Sequence, residues 1–263
     1  MGQYTSLEQQ VADELSQQQG GSGSSTSGVV YAADHGFSTS NTGAQNVAAL
    51  TAARDAAGLA AVASQGAGVV EVAAGTFPLS QMSMIASNGY SVRLKCAGKN
   101  ATFLGPMPDS GAGTYLLDWG ATAPTRRCTV AEGFTLYGPG ISMVVGTLPA
   151  NCDGIRIPPG CDIVSVDVER CNANIVLVDD HHLVFDCRGG GGWYGLGVAS
   201  NGNLGNCTYI NCDFTSNARA SVGLIAAGGT RGYKAYGFST TRPQPAATAP
   251  GRTAPRTAWR ASH

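Results

Sequence analysis

Four acidic residues carry the groups best suited to acid–base chemistry: Asp167 and Glu169 in VSVDVER, Asp186 in LVFDCRG, and Asp213 in YINCDFTSN. Each lies in a short run that alternates apolar and polar residues, the pattern of a half-buried strand. Stacked as successive parallel strands with Val168, Cys187 and Phe214 as equivalent inward positions, these runs place Asp167, Asp186 and Asp213 in one outward column. Neighbours in that column stand about 4.8 Å apart, and its ends about twice that. Glu169 follows Asp167 on the same face, about 6.6–7 Å along, and Arg188 lies over Glu169. Stacked like charges repel, so the column needs a protonated member, a cation, Arg188 or open water. Carboxyl pairs at such separations suit glycoside hydrolysis, where one group protonates the leaving oxygen and the other attacks or activates water. The neighbouring charge also raises the pKa of one member. A solvated outer face with incidental acids is the plainer alternative.

Two further segments bear on chemistry. VDDHHLVFD (178–186) brings Asp179, Asp180, His181 and His182 to a turn. Asp179 and Asp180 are weak candidate ligands for a divalent metal, and the histidines candidate proton donors. Neighbours on a strand point to opposite faces, however, so a polar turn accounts for them equally. CRGGGGWYGLG (187–197) reads as a flexible loop ending in Trp193 and Tyr194. No Lys-Ser/Thr follows its glycines, so it is not a phosphate loop. The two rings either stack on sugars or plug the loop against the wall, and with Arg188 they make up the expected substrate-binding set.

These residues need elements that stack. GFTLYG (133–138), VSVDVER (164–170), LVFDCRG (183–189), YINCDFTSN (209–217) and YKAYGFSTT (233–241) read as one strand in successive coils of a solenoid. Aligning Leu136, Val168, Cys187, Phe214 and Phe238 as inward gives steps of 32, 19, 27 and 24 residues. Strict alternation then turns Val164, Val166 and Val168 inward, then Leu183, Phe185 and Cys187, then Ile210, Cys212 and Phe214. VVEV (69–72), SVRLKC (91–96), ATFLG (101–105) and YLLDW (115–119) supply earlier strands. An antiparallel sandwich would need hairpin turns of about two to five residues, and the turns here are longer.

Upstream, residues 34–80 begin DHGFSTSNTGAQNVAAL and end GVVEVAAGTFPLS. Val47, Leu50, Arg54, Ala57 and Ala61 follow a helical period, Asn41 or Thr42 can cap the start, and Gly66 and Gly68 end the stretch. This segment resembles the entry of the pectate-lyase-like superfamily, which includes phage tail spikes and related polysaccharide-degrading enzymes. Asp34 and Gly36 match the family's opening, with Phe37 in place of Ala. Gly68, Val70, Ala74, Gly75, Thr76 and Phe77 match its exit, with Ala73 in place of Pro. The resemblance implies an all-β, right-handed parallel β-helix with a short N-terminal capping helix. It carries no catalytic residue to this chain. It does imply Ca²⁺ and an Arg or Lys base if the chemistry is that of the family's lyases, and Arg156, Arg170 and Arg188 are available for that role. It also implies a polysaccharide partner and a homotrimer.

Charge and termini bound the rest. Sixteen basic residues nearly balance seventeen acidic ones, so the chain as a whole lacks the basic surplus of a nucleic-acid binder. No apolar run is long enough to span a membrane. Charged residues make up 13% of the chain and glycine 37 positions, which disfavours helix bundles and favours strands joined by tight turns. Residues 1–28 read as a helix with Leu7, Val11 and Leu15 on one face, followed by a flexible linker suited to attachment in a virion or tail assembly. They show no basic and apolar leader, so secretion is less expected; taken with the tail-spike resemblance, this implies a virion-associated protein or one that is cytoplasmic before assembly. Residues 29–241 form the β-helix. Residues 242–263, rich in Pro, Ala and Arg, read as a disordered basic tail or a shifted reading frame. The eight cysteines lack zinc spacing and read mainly as small buried hydrophobes. The expected function is a glycan-directed β-helix of tail-spike type that binds and depolymerises a surface polysaccharide. A free-standing Ca²⁺-dependent lyase and a non-catalytic tail component are the alternatives.

Overall fold

The computed structural model describes residues 28–64, 68–108, 114–122, 128–140, 152–198, 207–218, 220–224 and 234–236. Most of the expected N-terminal segment, all of the expected tail, and Phe238 lie outside them. In chain order the elements are β1 (Val29–Tyr31), a 3-10 turn (Ala32–His35), α1 (Gly43–Ser64), β2 (Val69–Val72), β3 (Gly75–Phe77), β4 (Met82–Ser83), β5 (Arg93–Cys96), β6 (Thr102–Leu104), β7 (Thr114–Asp118), β8 (Thr129–Tyr137), β9 (Cys152–Ile157), β10 (Asp162–Glu169), β11 (Ala173–Leu177), β12 (Leu183–Phe185), β13 (Arg188–Gly190), β14 (Tyr194–Val198), β15 (Thr208–Ile210), β16 (Ala220–Leu224) and β17 (Lys234–Tyr236).

The chain visits two sheets in turn. One runs β1-β2-β5-β8-β10-β12-β15-β17, with β3, β6 and β13 continuing its strands past a bend; the other runs β16-β14-β11-β9-β7-β4. Every ladder between these strands is parallel. Strands that return parallel to a neighbouring rung after crossing another sheet make a parallel β-helix, here all-β and right-handed. The interior is built of columns. Val70, Leu94, Ala131, Ile163, Val184 and Tyr209 pair rung to rung and are all buried. Across the core, Leu117, Ile155, Ile175 and Leu196 do the same.

Two corners interrupt the strands of the first sheet. Gly133, Ser165, Asp186 and Asn211 hold equivalent places in four coils, between flanking residues that pair in register. All four are left-handed, with φ of 73°, 52°, 52° and 53°. The next corner stacks Arg170, Gly191 and Ser216, at 68°, 63° and 58°. A left-handed residue breaks strict alternation, and this corrects the expected faces. Ile163, Val166 and Val168 point inward while Val164 is half-buried. In the next coil Val184 and Cys187 are inside, not Leu183 and Phe185, and in the next Tyr209 replaces Ile210. The step from β10 to the following coil is 21 residues (Val168 pairs with Gly189), and the next is 25 (Arg188 bridges Asp213). The expected 19 and 27 are each wrong by two, because Cys187 pairs in register with Val166 rather than Val168.

The capping helix runs 22 residues, from just after Thr42 to just before Gly66, within the expected bounds. The Thr42 Oγ1 accepts from the Gln45 N–H at 3.3 Å, and the Gln45 Oε1 accepts from the Thr42 N–H at 2.8 Å, a reciprocal capping box. Leu50, Ala53, Ala57 and Ala61 are buried, and the helix packs on β1 and β2, the first two rungs. The glycine-rich segment is not a loop: residues 189–192 are buried, and 188–190 form β13. At Gly189 an added Cβ would come within 2.3 Å of the Gly195 carbonyl oxygen and 3.0 Å of the Phe214 ring. Behind it, Asn174 and Asn217 are buried and bonded to each other at 3.2 Å, and donate to the carbonyls of Gly190 and Gly189. Gly189→Ala is therefore expected to destabilise the fold by about 1–3 kcal/mol in chemical denaturation. A loss near zero would show that the coils leave more room there than the stacked ring implies.

Candidate functional site

The wall between the two corners is where the sequence places its chemistry. Its outward column reads Thr76, Phe103, Thr135, Asp167, Arg188 and Asp213, rung by rung. Asp167 and Asp213 thus stand two rungs apart with Arg188 between them. Asp186 does not belong to this column; it sits at the corner, between Ser165 and Asn211. The expected stack of three aspartates is corrected accordingly. The two-residue slip moves Asp186 to the bend and brings a cation into its place. Arg188 also pairs with Asp167 rather than Glu169 on the backbone, although its side chain reaches diagonally to Glu169, with Nη1 to Oε1 at 2.8 Å.

Several residues of the wall carried no signal in the sequence pattern. Lys99 lies in the turn between β5 and β6. Its Nζ donates to the Asp186 carboxylate at 2.8 Å and to the Asp186 carbonyl at 3.0 Å, and lies 3.7 Å from Asp167 Oδ1. Thr135 fixes that turn by donating to the Lys99 carbonyl at 2.5 Å. Ser165 and Asn211 both donate to the Asp186 carboxylate, at 2.8 and 3.1 Å. Phe103 and Tyr137 lie in parallel planes with centroids 6.2 Å apart, and the Arg170 guanidinium sits 4.5 Å over the Tyr137 ring. Lys99 is 87 residues from Asp186 in the chain, and only the coil register brings them together.

The carboxyl groups are not equivalent. Burial raises the Asp167 pKa above its ordinary value, with the charges of Asp186 and Glu169 acting in the same direction and those of Lys99 and Arg188 opposing. Its Oδ1 is buried without a hydrogen bond. Asp213 has a more exposed side chain, at 44%, although its Oδ1 is likewise buried without a hydrogen bond, and Arg188 Nε lies 3.9 Å from its Oδ2. Burial tends to lower Lys99, but the bond to Asp186 and the charges of Asp167 and Asp186 outweigh it and hold the ammonium above the usual lysine value.

The remaining candidates lie elsewhere. Asp180 Oδ1 is 2.7 Å from His181 Nδ1, on the exposed side of the turn. His182 is buried, with its ring nitrogens 2.8 and 3.0 Å from the carbonyl oxygens of Cys161 and Val178, and burial lowers its pKa. Asp180 thus meets His181, while His182 turns to main-chain carbonyls, and the four side chains do not form one cluster. Among the described residues no three His, Cys, Asp or Glu side chains surround one point. The wall carboxylates meanwhile face Lys99 and Arg188, so the donor set does not fit Ca²⁺. Trp193 and Tyr194 lie past the second corner at the start of the other sheet, half-buried, with backbone N–H groups on the carbonyls of Cys171 and Asn172. Arg156 is also on that sheet, bonded to both carboxylate oxygens of Asp118 at 2.7 and 2.6 Å.

No family model matches the chain, and no curated protein matches it. Among solved structures the chain is similar to the A-module of the mannuronan C-5 epimerase AlgE4 from Azotobacter vinelandii. That similarity is 14% in identity, covers 80% of this chain and 72% of that one, and has a TM-score of 0.43. The A-module of AlgE6 from the same organism gives 16% identity over 80% and 79%, with a TM-score of 0.26.

The raised Asp167 pKa has a stability consequence of definite sign. The folded chain holds the Asp167 proton to higher pH than the unfolded chain, whose carboxyl titrates near the ordinary 3.8. Between the two values the folded state binds more protons, so this group's contribution falls as pH rises through the window. The unfolding free energy of the chain minus that of Asp167→Asn is expected to decrease between pH 3.8 and the folded pKa. A difference that increases with pH would show the carboxylate to be stabilised in its ionised form.

Proposed function

We propose that the chain is a glycan-directed β-helix protein whose wall between the two corners hydrolyses a polysaccharide. The observation that carries this reading is Asp167. It is a carboxyl pushed up by burial with one oxygen left unbonded, two rungs from the more open carboxylate of Asp213. Two rungs set their backbones about 9.6 Å apart, near the upper end of the roughly 6.5–9.5 Å between carboxyl groups in inverting glycosidases.

In this reading Asp167 is the general acid, giving its proton to the glycosidic oxygen as the bond to the anomeric carbon breaks. Asp213 takes the proton from the water that attacks that carbon. Arg188 stands between them, bonded to Glu169 and 3.9 Å from the Asp213 carboxylate. Asp186 is a positioning residue, because its carboxylate is taken up by Lys99, Ser165 and Asn211. Phe103 borders the strip and supplies apolar surface for a sugar, beside Tyr137, whose ring the Arg170 guanidinium covers. β-Elimination by a Lys or Arg base is disfavoured at Lys99, which is held more firmly protonated, and at Arg188, which is ion-paired.

The tail-spike form of this proposal, a homotrimer attached through residues 1–28, draws on the first rung. Val29 and Tyr31 are 45% and 55% exposed there, directly after that segment. Light scattering on the full chain is expected to give three times the chain mass, and a monomer would remove this part of the proposal.

The catalytic reading is tested on a panel of neutral and uronic-acid polysaccharides, following reducing ends and unsaturated products, with and without chelator. Asp167→Asn and Asp213→Asn are each expected to lower the release of reducing ends by about 100-fold or more, with no unsaturated product and no effect of chelator. Release unchanged in both variants, or none by the parent chain on any glycan, contradicts the proposal.

A further inference from the structure

Cys128 and Cys161 hold equivalent places in adjacent coils. They immediately precede Thr129 and Asp162, which pair in the parallel ladder, and the Asp162 N–H donates to the Cys128 carbonyl at 3.1 Å. Adjacent rungs lie about 4.8 Å apart, inside the roughly 4.4–6.8 Å between Cα atoms that a disulfide spans. The two thiols act on each other, Cys161 lowering the Cys128 thiol and Cys128 raising that of Cys161. Cys161 is buried, whereas Cys128 alone among the eight cysteines is part-exposed. The Cys128 thiol is shifted down. The bond from Cys161 outweighs burial and the Asp162 charge, and the Arg93 guanidinium adds to it.

A second pair shows what this arrangement excludes. Cys187 and Cys212 also lie on adjacent rungs, the Asp213 N–H donating to the Cys187 carbonyl at 2.9 Å. Both are buried, and each thiol has a main-chain carbonyl acceptor at 3.2 Å, that of Phe185 for Cys187 and that of Val184 for Cys212. Burial raises both thiols, Cys212 to about 11. Adjacency alone therefore does not make a reactive pair; access and thiolate character separate the two.

We propose that Cys128 and Cys161 are a redox-modifiable dithiol that closes to a disulfide on meeting a low-molecular-weight disulfide such as oxidised glutathione. The Cys128 thiolate attacks one glutathione sulfur, breaking that S–S bond and releasing one glutathione thiolate. The Cys161 thiol gives its proton to the released glutathione thiolate and attacks the Cys128 sulfur, breaking the mixed disulfide and releasing the second glutathione as a thiolate that water protonates. Two thiols are oxidised and one external disulfide is reduced to two thiols. The bond formed staples the coil of β8 to the coil of β10, which carry Thr135 and Asp167 on their outer faces.

The test is peptide mass mapping of the native full chain after incubation with excess oxidised glutathione, against the dithiothreitol-reduced chain. The Cys128 and Cys161 peptides are expected to appear joined, lighter by two hydrogens than their sum, while Cys187 and Cys212 stay free. Cys161→Ser is expected to stop at a stable glutathione adduct on Cys128, and the oxidised chain to melt at a higher temperature than the reduced one. Both thiols remaining free, a glutathione adduct on Cys128 persisting in the unsubstituted chain, or equal linkage of Cys187 with Cys212 overturns the proposal.

Discussion

Each coil of this molecule must bend where the coil beneath it bends. The hydrogen bonds that join parallel rungs run between coils, so a bend out of step would forfeit the ladder on both sides of it. The chain meets this constraint with a left-handed residue at the same place in four coils, and only Gly133 is free of the steric cost that a side chain brings there. Ser165, Asp186 and Asn211 accept that cost, and their side chains bond to one another across the corner. Lys99 closes the set from a coil further toward the N-terminus. The polar residues that bend the wall are thus the same ones that fix its edge.

The corner also decides the electrostatics of the wall beyond it. With the bend at Asp186, the outward position above Asp167 falls to Arg188, and the column alternates acid, base, acid rather than stacking three acids. Alternation relieves the repulsion between like charges in neighbouring strands. It leaves the two aspartates in different settings: burial favours the proton on Asp167, while Asp213 is part-exposed beside the guanidinium. A carboxyl whose burial favours its proton, two rungs from a part-exposed one, suits the division of labour between an acid and a base.

Much of this was legible in residue order. The solenoid could be read from short alternating runs at loose spacing, and the helix start from Asn41 or Thr42 ahead of an alanine-rich stretch. Asp167 and Asp213 could be placed on one outward face because an error of two residues keeps side chains on the same side of a strand. What could not be read was the corner. A left-handed Ser, Asp or Asn looks like any polar strand residue, so strict alternation carried Leu183, Phe185 and Ile210 inward and put Asp186 in the wrong column. Lys99 was hidden for a different reason: it lies in a turn, where no strand period reaches, and its partner is far along the chain. The glycine run misled because small residues mark tight stacking, as at Gly189 under Phe214, as readily as they mark flexibility.

The register that joins Lys99 to Asp186 is the claim on which the corner, the alternating column and the assignment of Asp167 all depend. A double-mutant cycle on the unfolding free energy, with Lys99→Met, Asp186→Asn and the two combined, measures it directly. The account predicts non-additivity of about 0.5 kcal/mol or more, as for side chains in one network. Additivity within about 0.3 kcal/mol, as for distant and independent sites, would contradict it.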